Sequence, residues 1–334
     1  MNIREVARKA NVSTATVSRT INGSDKVSPE TAERVRTAIL ALNYYPNTNA
    51  RALGSGRSRL YGLIISDITN PFFPDLVKSF EDVAVTHGQD VIIANTGYSS
   101  ERTELCVQRM LERKVDGVAI MTSEMDAHLI DRLSSRHIPI VFLDTGRLGM
   151  GISNIVVDYG KGIRAALAHL VELGHERIAF ISGPMNLASA RARRDAFLAA
   201  AEEYGIPLKD ELMELANHRP DGGRLAMERL LDRKPWPTAV VSSNDLTAIG
   251  AIGAIHQRNL RVPEDISVAG FDDIELCSFM HPTMTTVRLS RSEIAERAFH
   301  ALYTENPKEE RPGVEYRIEP QLIVRNSTGA NPER

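Results

Sequence analysis

The stretch Val12-Ser13-Thr14-Ala15-Thr16-Val17-Ser18-Arg19-Thr20-Ile21-Asn22-Gly23 decides how the first sixty residues read. Ser13 is placed to cap a helix that starts after it, and Gly23 with Ser24-Asp25 ends that helix near Asn22. At about 100° per residue, Ala15, Ser18, Arg19 and Asn22 share an arc about 100° wide with Thr14 at its border, while Val17 and Ile21 lie elsewhere. One face can pack and the other can read a surface. Upstream, Ile3, Val6, Ala7 and Ala10 form the stripe of a first helix that Asn11 breaks. Downstream, Ser28 is an N-cap, Pro29 takes the first helical position, and Glu30 sits in the positive first turn. Ala32, Val35, Ile39 and Leu42 then complete a three-helix core. The short break at Asn11-Val12 is the length expected of a helix-turn-helix, whose second helix enters the DNA major groove. Small Thr14, Ala15 and Ser18 allow close approach there, and Arg19 reaches a guanine edge. On periodicity and charge alone, a basic cap that packs on protein stays open as the alternative.

Charge sharpens this. The 334-residue chain carries a net charge of -3, which taken whole argues against a polyanionic partner. Residues 1–60 hold ten Lys and Arg against four acids, a balance of +6, and the remaining 30 basic and 39 acidic residues leave -9. Two cysteines, Cys106 and Cys277, are too few for a disulfide scaffold, and no His/Cys spacing suits a metal. The N-terminus is charged at once and lacks a secretory apolar run, and no segment reaches the ~18 residues of a membrane span. A cytoplasmic protein away from the membrane is expected.

The stretch above, with Lys26-Val27-Ser28-Pro29 and Leu42-Asn43-Tyr44-Tyr45-Pro46-Asn47, resembles the headpiece of the lactose-repressor (LacI/GalR) family. The resemblance implies a DNA-binding face built from Arg4, Thr14, Ala15, Thr16, Ser18, Arg19, Asn22, Lys26, Tyr44, Asn47, Ala50 and Leu53. Asn47-Thr48-Asn49-Ala50-Arg51-Ala52-Leu53 is too short to hold a helix alone in water, so bare linker is one reading and folding on a partner another. In the family the segment is a hinge helix that forms on DNA, and Leu53 matches the leucine that enters the minor groove.

From about Leu60, short apolar runs alternate with amphipathic stretches. Strands are expected at Tyr61–Ser66, Val91–Asn95, Val118–Met121, Ile140–Asp144, Ile178–Ser182, Ala239–Ser243 and Ser267–Phe271. Helices are expected at Asp75–His87, Glu101–Arg113, Gly160–Leu173, Arg191–Tyr204, Arg224–Leu231 and Leu246–Arg258. The pattern predicts an α/β body of two doubly wound parallel-sheet lobes of the periplasmic-binding-protein-like type, joined near Asp158, Thr285–Leu289 and Ile318–Leu322. Open α/β sheets bind ligands beyond the carboxyl ends of their strands. That rule selects Ser66-Asp67-Ile68-Thr69-Asn70-Pro71-Phe72-Phe73, Thr122-Ser123, Asp144, Ser182-Gly183-Pro184, Ser243-Asn244-Asp245 and Phe271-Asp272-Asp273, a hydroxyl-binding surface in which Asp accepts and an arginine donates. Asp245 and Asp273 read as helix caps, Phe72 and Phe73 as core, and the Arg191, Arg193, Arg194 run as a solvated face when each is taken alone.

Ser182-Gly183-Pro184, Arg191-Ala192-Arg193, Asn244-Asp245, Val262-Pro263-Glu264-Asp265-Ile266 and Gly270-Phe271-Asp272-Asp273 resemble the regulatory core of the same family. By that resemblance Arg193, Asn244 and Asp272 match effector-contacting positions of the second lobe, Phe73, Ser123 and Asp144 line the first, and Asn70-Pro71-Phe72 is the loop after the first strand. His218 departs from the pattern, standing where relatives often place a stacking aromatic, and an imidazole there suggests a more polar or acidic ligand.

The implied division is a DNA-binding domain at 1–46 and a hinge and linker at 47–59. A first lobe follows at 60–157 with 289–318, and a second at 158–288 with 319–330. The expected function is a sequence-specific transcriptional repressor, a homodimer on a pseudo-palindromic double-stranded DNA operator. Its core binds a small polar effector, a sugar or sugar derivative, that controls operator binding. A solute-binding receptor would suit the body but predicts a signal peptide and no headpiece. No GxGxxG, P-loop or GxSxG supports an enzyme, so no catalytic residue, metal or cofactor is expected. No heptad-bearing tail follows Arg325, so tetramers through such a tail are not expected.

Overall fold

The computed structural model describes residues 2–21, 24–45, 57–122, 125, 127–144, 147–304 and 311–332. It falls into two compact units, Met1–Arg59 and Leu60–Arg334. In the first, α1 (Ile3–Ala10), α2 (Thr14–Ile21) and α3 (Pro29–Ala41) surround a small core. Asn2 Oδ1 accepts from the amides of Arg4 (3.0 Å) and Glu5 (3.2 Å), and Glu5 Oε2 accepts from Asn2 N (3.2 Å), so two orphan donors of the first turn are satisfied reciprocally. Asn11, left-handed at φ 53°, ends α1, a conformation that Asn tolerates better than most residues. Ser13 Oγ then accepts from Thr16 N at 3.1 Å and starts α2 as its sequence position suggests. Arg34 of α3 donates to the carbonyls of Ala10 (2.6 Å) and Asn11 (3.2 Å), fixing the turn between the first two helices. Val6, Ala7, Ala10, Val17, Val35 and Ala38 form the buried cluster, with Ile39, Leu42 and Tyr44 packed partly against it.

The second unit is α/β with two six-stranded sheets. The first contains β1 (Leu60–Ile65), β2 (Asp90–Asn95), β3 (Gly117–Met121), β4 (Ile140–Leu143), β5 (Ile152–Val157) and β11 (Glu315–Ile318), in spatial order β11-β5-β4-β3-β1-β2. The second contains β6 (Ile178–Ser182), β7 (Met213–Leu215), β8 (Ala239–Ser242), β9 (Ser267–Asp272), β10 (Thr285–Arg288) and β12 (Gln321–Ile323), ordered β12-β10-β9-β8-β6-β7. All pairings are parallel except β10 with β12, a departure from the all-parallel expectation. Each sheet therefore carries the doubly wound 2-1-3-4-5 order plus one late strand, with its topological switch between the first and third strands of the set.

The helices are α4 (Phe72–Thr86), α5 (Ser100–Arg113), α6 (Ala127–Ser134), α7 (Tyr159–Glu172), α8 (Ala188–Glu203), α9 (Pro220–Leu231), α10 (Asp245–Gln257) and α11 (Arg291–Leu302). They cover both faces of the sheets, which is why the central strands are unbroken apolar runs. In β1, Tyr61, Leu63 and Ile65 point into one layer with Phe80 and Phe299, whereas Ile64 points into the other with Val107 and Met110. The chain passes between sheets three times: from β5 into α7 at Asp158, from β10 into α11 at 289–290, and from β11 to β12 at 319–320. The second of these lies at the end of the expected Thr285–Leu289 segment, whose first four residues are β10 itself. Among the described residues no helix is long and apolar enough to cross a membrane.

Candidate functional site

On the first unit, α2 has one buried residue, Val17, and its opposite face is open: Thr14, Ala15, Ser18 and Arg19 are exposed. Arg4 and Lys26 are exposed as well. Thr16 also braces the start of the helix. It is half-buried, its hydroxyl lies 2.9 Å from Ser13 Oγ, and its carbonyl accepts from Thr20 Oγ1 at 3.0 Å. Tyr44 packs partly on the small core, while its neighbour Tyr45, not singled out from sequence, is 80% exposed. Asn22, Asn47, Ala50 and Leu53 lie outside the described residues.

In the second unit the strand ends of the two sheets face each other across a cleft of about 650 Å³, counted to its open mouth. Asn70, Phe72, Phe73, Asp144, Arg193, His218, Asn244 and Asp272 all line it. Ser123 lies outside the described residues, and Thr122 beside it lines the cleft. Sequence reasoning missed Tyr159, Tyr98, Ser189 and Leu289, which also line it. Tyr159 carried a usable signal, since it follows the crossing at Asp158.

Arg193 lies at the centre. It is 7% exposed, with its guanidinium 4.4 Å from the Phe271 ring centroid and 5.0 Å from that of Tyr159. Its Nη1 donates to Ser243 O at 2.6 Å and its Nη2 to Asp272 Oδ1 at 3.4 Å, whereas Nε has no hydrogen-bond partner. A buried donor without a partner is costly, on the order of 1–3 kcal/mol, unless a ligand or water meets it. Burial works against the Arg193 charge, but Asp272, Tyr159 and Asp144 together outweigh it and hold the guanidinium above its usual range. The solvated-face reading of Arg193 therefore does not hold.

Asp144, at φ 60°, accepts from Tyr159 Oη (2.6 Å) and Val157 N (2.8 Å). Burial lifts its carboxyl above the usual range, and the two hydrogen bonds and Arg193 pull it back. Asp272 is likewise lifted by burial against the pull of Arg193 and Arg291. His218 Nε2 is hydrogen-bonded to Ser243 Oγ at 3.0 Å, and burial followed by the Arg193 charge pushes its pKa down to about 3. A neutral imidazole beside two carboxylates and one guanidinium removes the reason for expecting an acidic ligand. The ring rests on Gly183, where a β-carbon would overlap it.

Two expected caps are corrected. Asn244 caps α10, its Oδ1 accepting from Thr247 N at 3.0 Å while Nδ2 donates to His218 O at 3.1 Å. Asp245, the first residue of the helix, is fully buried and accepts from Thr286 Oγ1 (2.5 Å) and Ile274 N (2.8 Å). Asp273 caps nothing and takes Arg288 and Arg325, each at 2.7 Å. These bonds pin a loop in which Asp272 (φ 113°) and Asp273 (φ 55°) both hold backbone angles that L-residues disfavour. Phe72 and Phe73 are both core and cleft wall, meeting edge to face at 5.4 Å. Among the described residues no group of three His, Cys, Asp or Glu side chains is arranged to hold a metal.

Comparison with known proteins places this geometry. Residues 2–47 match the model of the lacI family of bacterial regulatory proteins, and residues 167–328 match a periplasmic binding protein-like domain. The chain is 34% identical to an HTH-type transcriptional repressor PurR from Erwinia tasmaniensis, over 99% of this chain and 98% of that one. Among solved structures, the lac repressor dimer bound to operator and the anti-inducer ONPF superposes with a TM-score of 0.86 at 27% identity, covering 99% of both chains. A CelR–cellobiose complex superposes with a TM-score of 0.74 at 30% identity, covering 98% of this chain and 99% of that one.

Proposed function

We infer the function from one premise: this chain belongs to the lacI family of bacterial regulatory proteins and is a DNA-binding transcriptional repressor of that family. Its chemistry is binding, not catalysis. We propose the division at 1–46, 47–59, 60–157 with 289–318, and 158–288 with 319–330, in which the first two segments engage DNA and the two lobes hold the effector between them. In this reading α2 enters the major groove, Arg19 reads a guanine edge, Thr14, Ala15, Ser18 and Asn22 fit around it, and Arg4 and Lys26 meet phosphates. Asn47, Ala50 and Leu53 belong to the same DNA-contacting set.

The effector is a small, uncharged, hydroxyl-rich molecule of the sugar class. The observation that carries this is Arg193: a buried guanidinium in the cleft whose Nε lacks a partner, flanked by Asp144 and Asp272 as acceptors. Hydroxyl groups satisfy both, since each donates to a carboxylate and accepts from a guanidinium. Cellobiose in the related CelR complex is of that class. Ligand control of DNA binding requires affinity that differs between two arrangements of the lobes, because equal affinity shifts nothing. Rotation about the three crossings would change how two first lobes face each other in a homodimer, and so whether two hinge segments pair. Val85, Ile93 and Leu105, exposed by 62%, 46% and 48% on α4, β2 and α5, support a paired surface at that edge. Sedimentation should report a dimer on a pseudo-palindromic site.

A thermal-shift screen of neutral sugars, sugar acids, sugar phosphates and nucleosides tests the effector class. Neutral sugars should raise the melting temperature and Arg193→Ala should abolish the rise; a response confined to sugar acids or nucleosides would replace this reading.

A further inference from the structure

In both sheets the strands beside the chain crossings lie at one edge: β5 and β11 in the first, β10 and β12 in the second. β1 and β2 lie at the other edge of the first sheet, and β6 and β7 at the other edge of the second. Asp67 follows β1, and Arg219 follows β7 as the residue before α9. Their side chains meet, Arg219 Nη2 donating to Asp67 Oδ2 at 2.9 Å. A charge pair thus ties the lobes together at the edge farthest from their covalent joints, where a small rotation about those joints separates atoms most.

The two partners are prepared differently. Asp67 is 10% exposed at its side chain and preset, its Oδ1 accepting from Thr69 N (3.0 Å) and Thr69 Oγ1 (2.7 Å). Burial alone would raise its carboxyl, but the Thr69 bonds and Arg219 prevail and hold it below the usual range. Arg219 reaches over from the second lobe with its side chain 58% exposed. The pair stands in the outer compartment of the cleft, about 910 Å³ to its open mouth, which shares Asn70 and His218 with the inner one.

We propose that Asp67 and Arg219 form a latch across the mouth of the cleft, holding the lobes closed in the ligand-free chain and governing the entry and residence of ligands. Ligand contacts at Arg193, Asp144 and Asp272 lie deeper and are separate from it. The latch does not depend on which molecule the cleft takes, so it can fail while the effector reading stands, and the reverse.

The test uses the ligand-free full chain with spin labels at Ser100→Cys and Leu225→Cys, exposed positions on α5 and α9, the far-edge helices of the two lobes. Cys106 and Cys277 are buried and stay unlabelled. Labelled protein is diluted into unlabelled protein so that pulsed electron resonance reads distances within one chain. Arg219→Gln should enlarge the longer-distance population roughly fivefold, the scale of a partly shielded surface pair. Arg219→Lys, which keeps the charge, should stay near the parent distribution. Salt at 1 M should open the parent chain and leave Arg219→Gln unchanged, because the pair it screens is already gone. A parent-like distribution for Arg219→Gln, or equal opening of both proteins by salt, would overturn the latch.

Discussion

The open face of α2 and the floor of the cleft, the two surfaces proposed to bind polar partners, are built in opposite ways. On α2, Arg19 and its small neighbours are exposed, and their reach is set by a helix that packs through one buried valine. In the cleft, Arg193, Asp144, Asp272 and His218 sit buried or nearly so, each engaged by specific partners, and burial has shifted three of them from their usual protonation behaviour. A surface that meets a polyanion needs only charge and shape, because the partner is long and the contacts are many. A site for one small neutral molecule has few contacts and must hold unsatisfied polar groups ready in low dielectric, where each counts for more. Removal of one group should accordingly be graded at the first site and close to all-or-none at the second.

Four experiments press on that contrast. Arg193→Ala and Asp272→Ala should each lower the affinity for a sugar found by the screen at least ~100-fold by calorimetry, since each strands a buried partner. Intact sugar affinity in both variants would remove the cleft from the account. On the α2 face, Arg19→Ala should cost about 1–3 kcal/mol of discrimination between a selected duplex and a scrambled one. A parent-like ratio there would mean that α2 does not read bases.

A smaller effect tests burial itself. His218 is neutral in the fold, with its pKa down to about 3, and an unfolded histidine titrates near 6.5. The unfolded state therefore binds the extra proton, so the contribution is present above about pH 6.5 and is lost as pH falls toward 3. Between pH 7.5 and 5.5 the parent should lose about 1 kcal/mol more unfolding free energy than His218→Phe; parallel pH profiles would mean that the imidazole is not held in its neutral form. The smallest change is expected from Lys26→Ala, which should weaken binding evenly across sequences and reduce the slope of log affinity against log salt by about 1. A loss confined to one sequence would instead make Lys26 a base-reading residue.

Much of this was legible in the chain because periodicity and capping are local. The three short helices, the Asn11 break and the Ser13 and Ser28 caps follow from neighbouring residues, and the central strands show themselves as runs apolar on both faces. β5 escaped that rule because Ser153 and Asn154 interrupt Ile152–Val157, although both are buried. β7 is three residues long with a glutamate in its middle, and β11 begins with a glutamate at the sheet edge. In the cleft, strand-end positions named the lining, but partner choice depends on residues far apart in sequence. Nothing local distinguishes Asn244, which caps α10, from Asp245, which clasps Thr286 and Ile274. Nor does local sequence show that Arg219 meets Asp67, 152 positions away. The opposite signs of the two units' charge were legible at once, and the whole-chain value of -3 conceals them.

One coupled titration tests most directly whether the cleft controls DNA binding. Full-length protein is bound to a duplex that it has selected from a random pool, and DNA affinity is measured with and without the sugar that stabilises it best, for the parent and for Asp272→Ala. Saturating sugar should change the parent's DNA affinity at least about tenfold, while Asp272→Ala should bind DNA as the parent does without sugar and show no change with it. An undiminished sugar response in Asp272→Ala, or no response in a parent saturated with the sugar, would contradict the assignment of this cleft as the site that controls DNA binding.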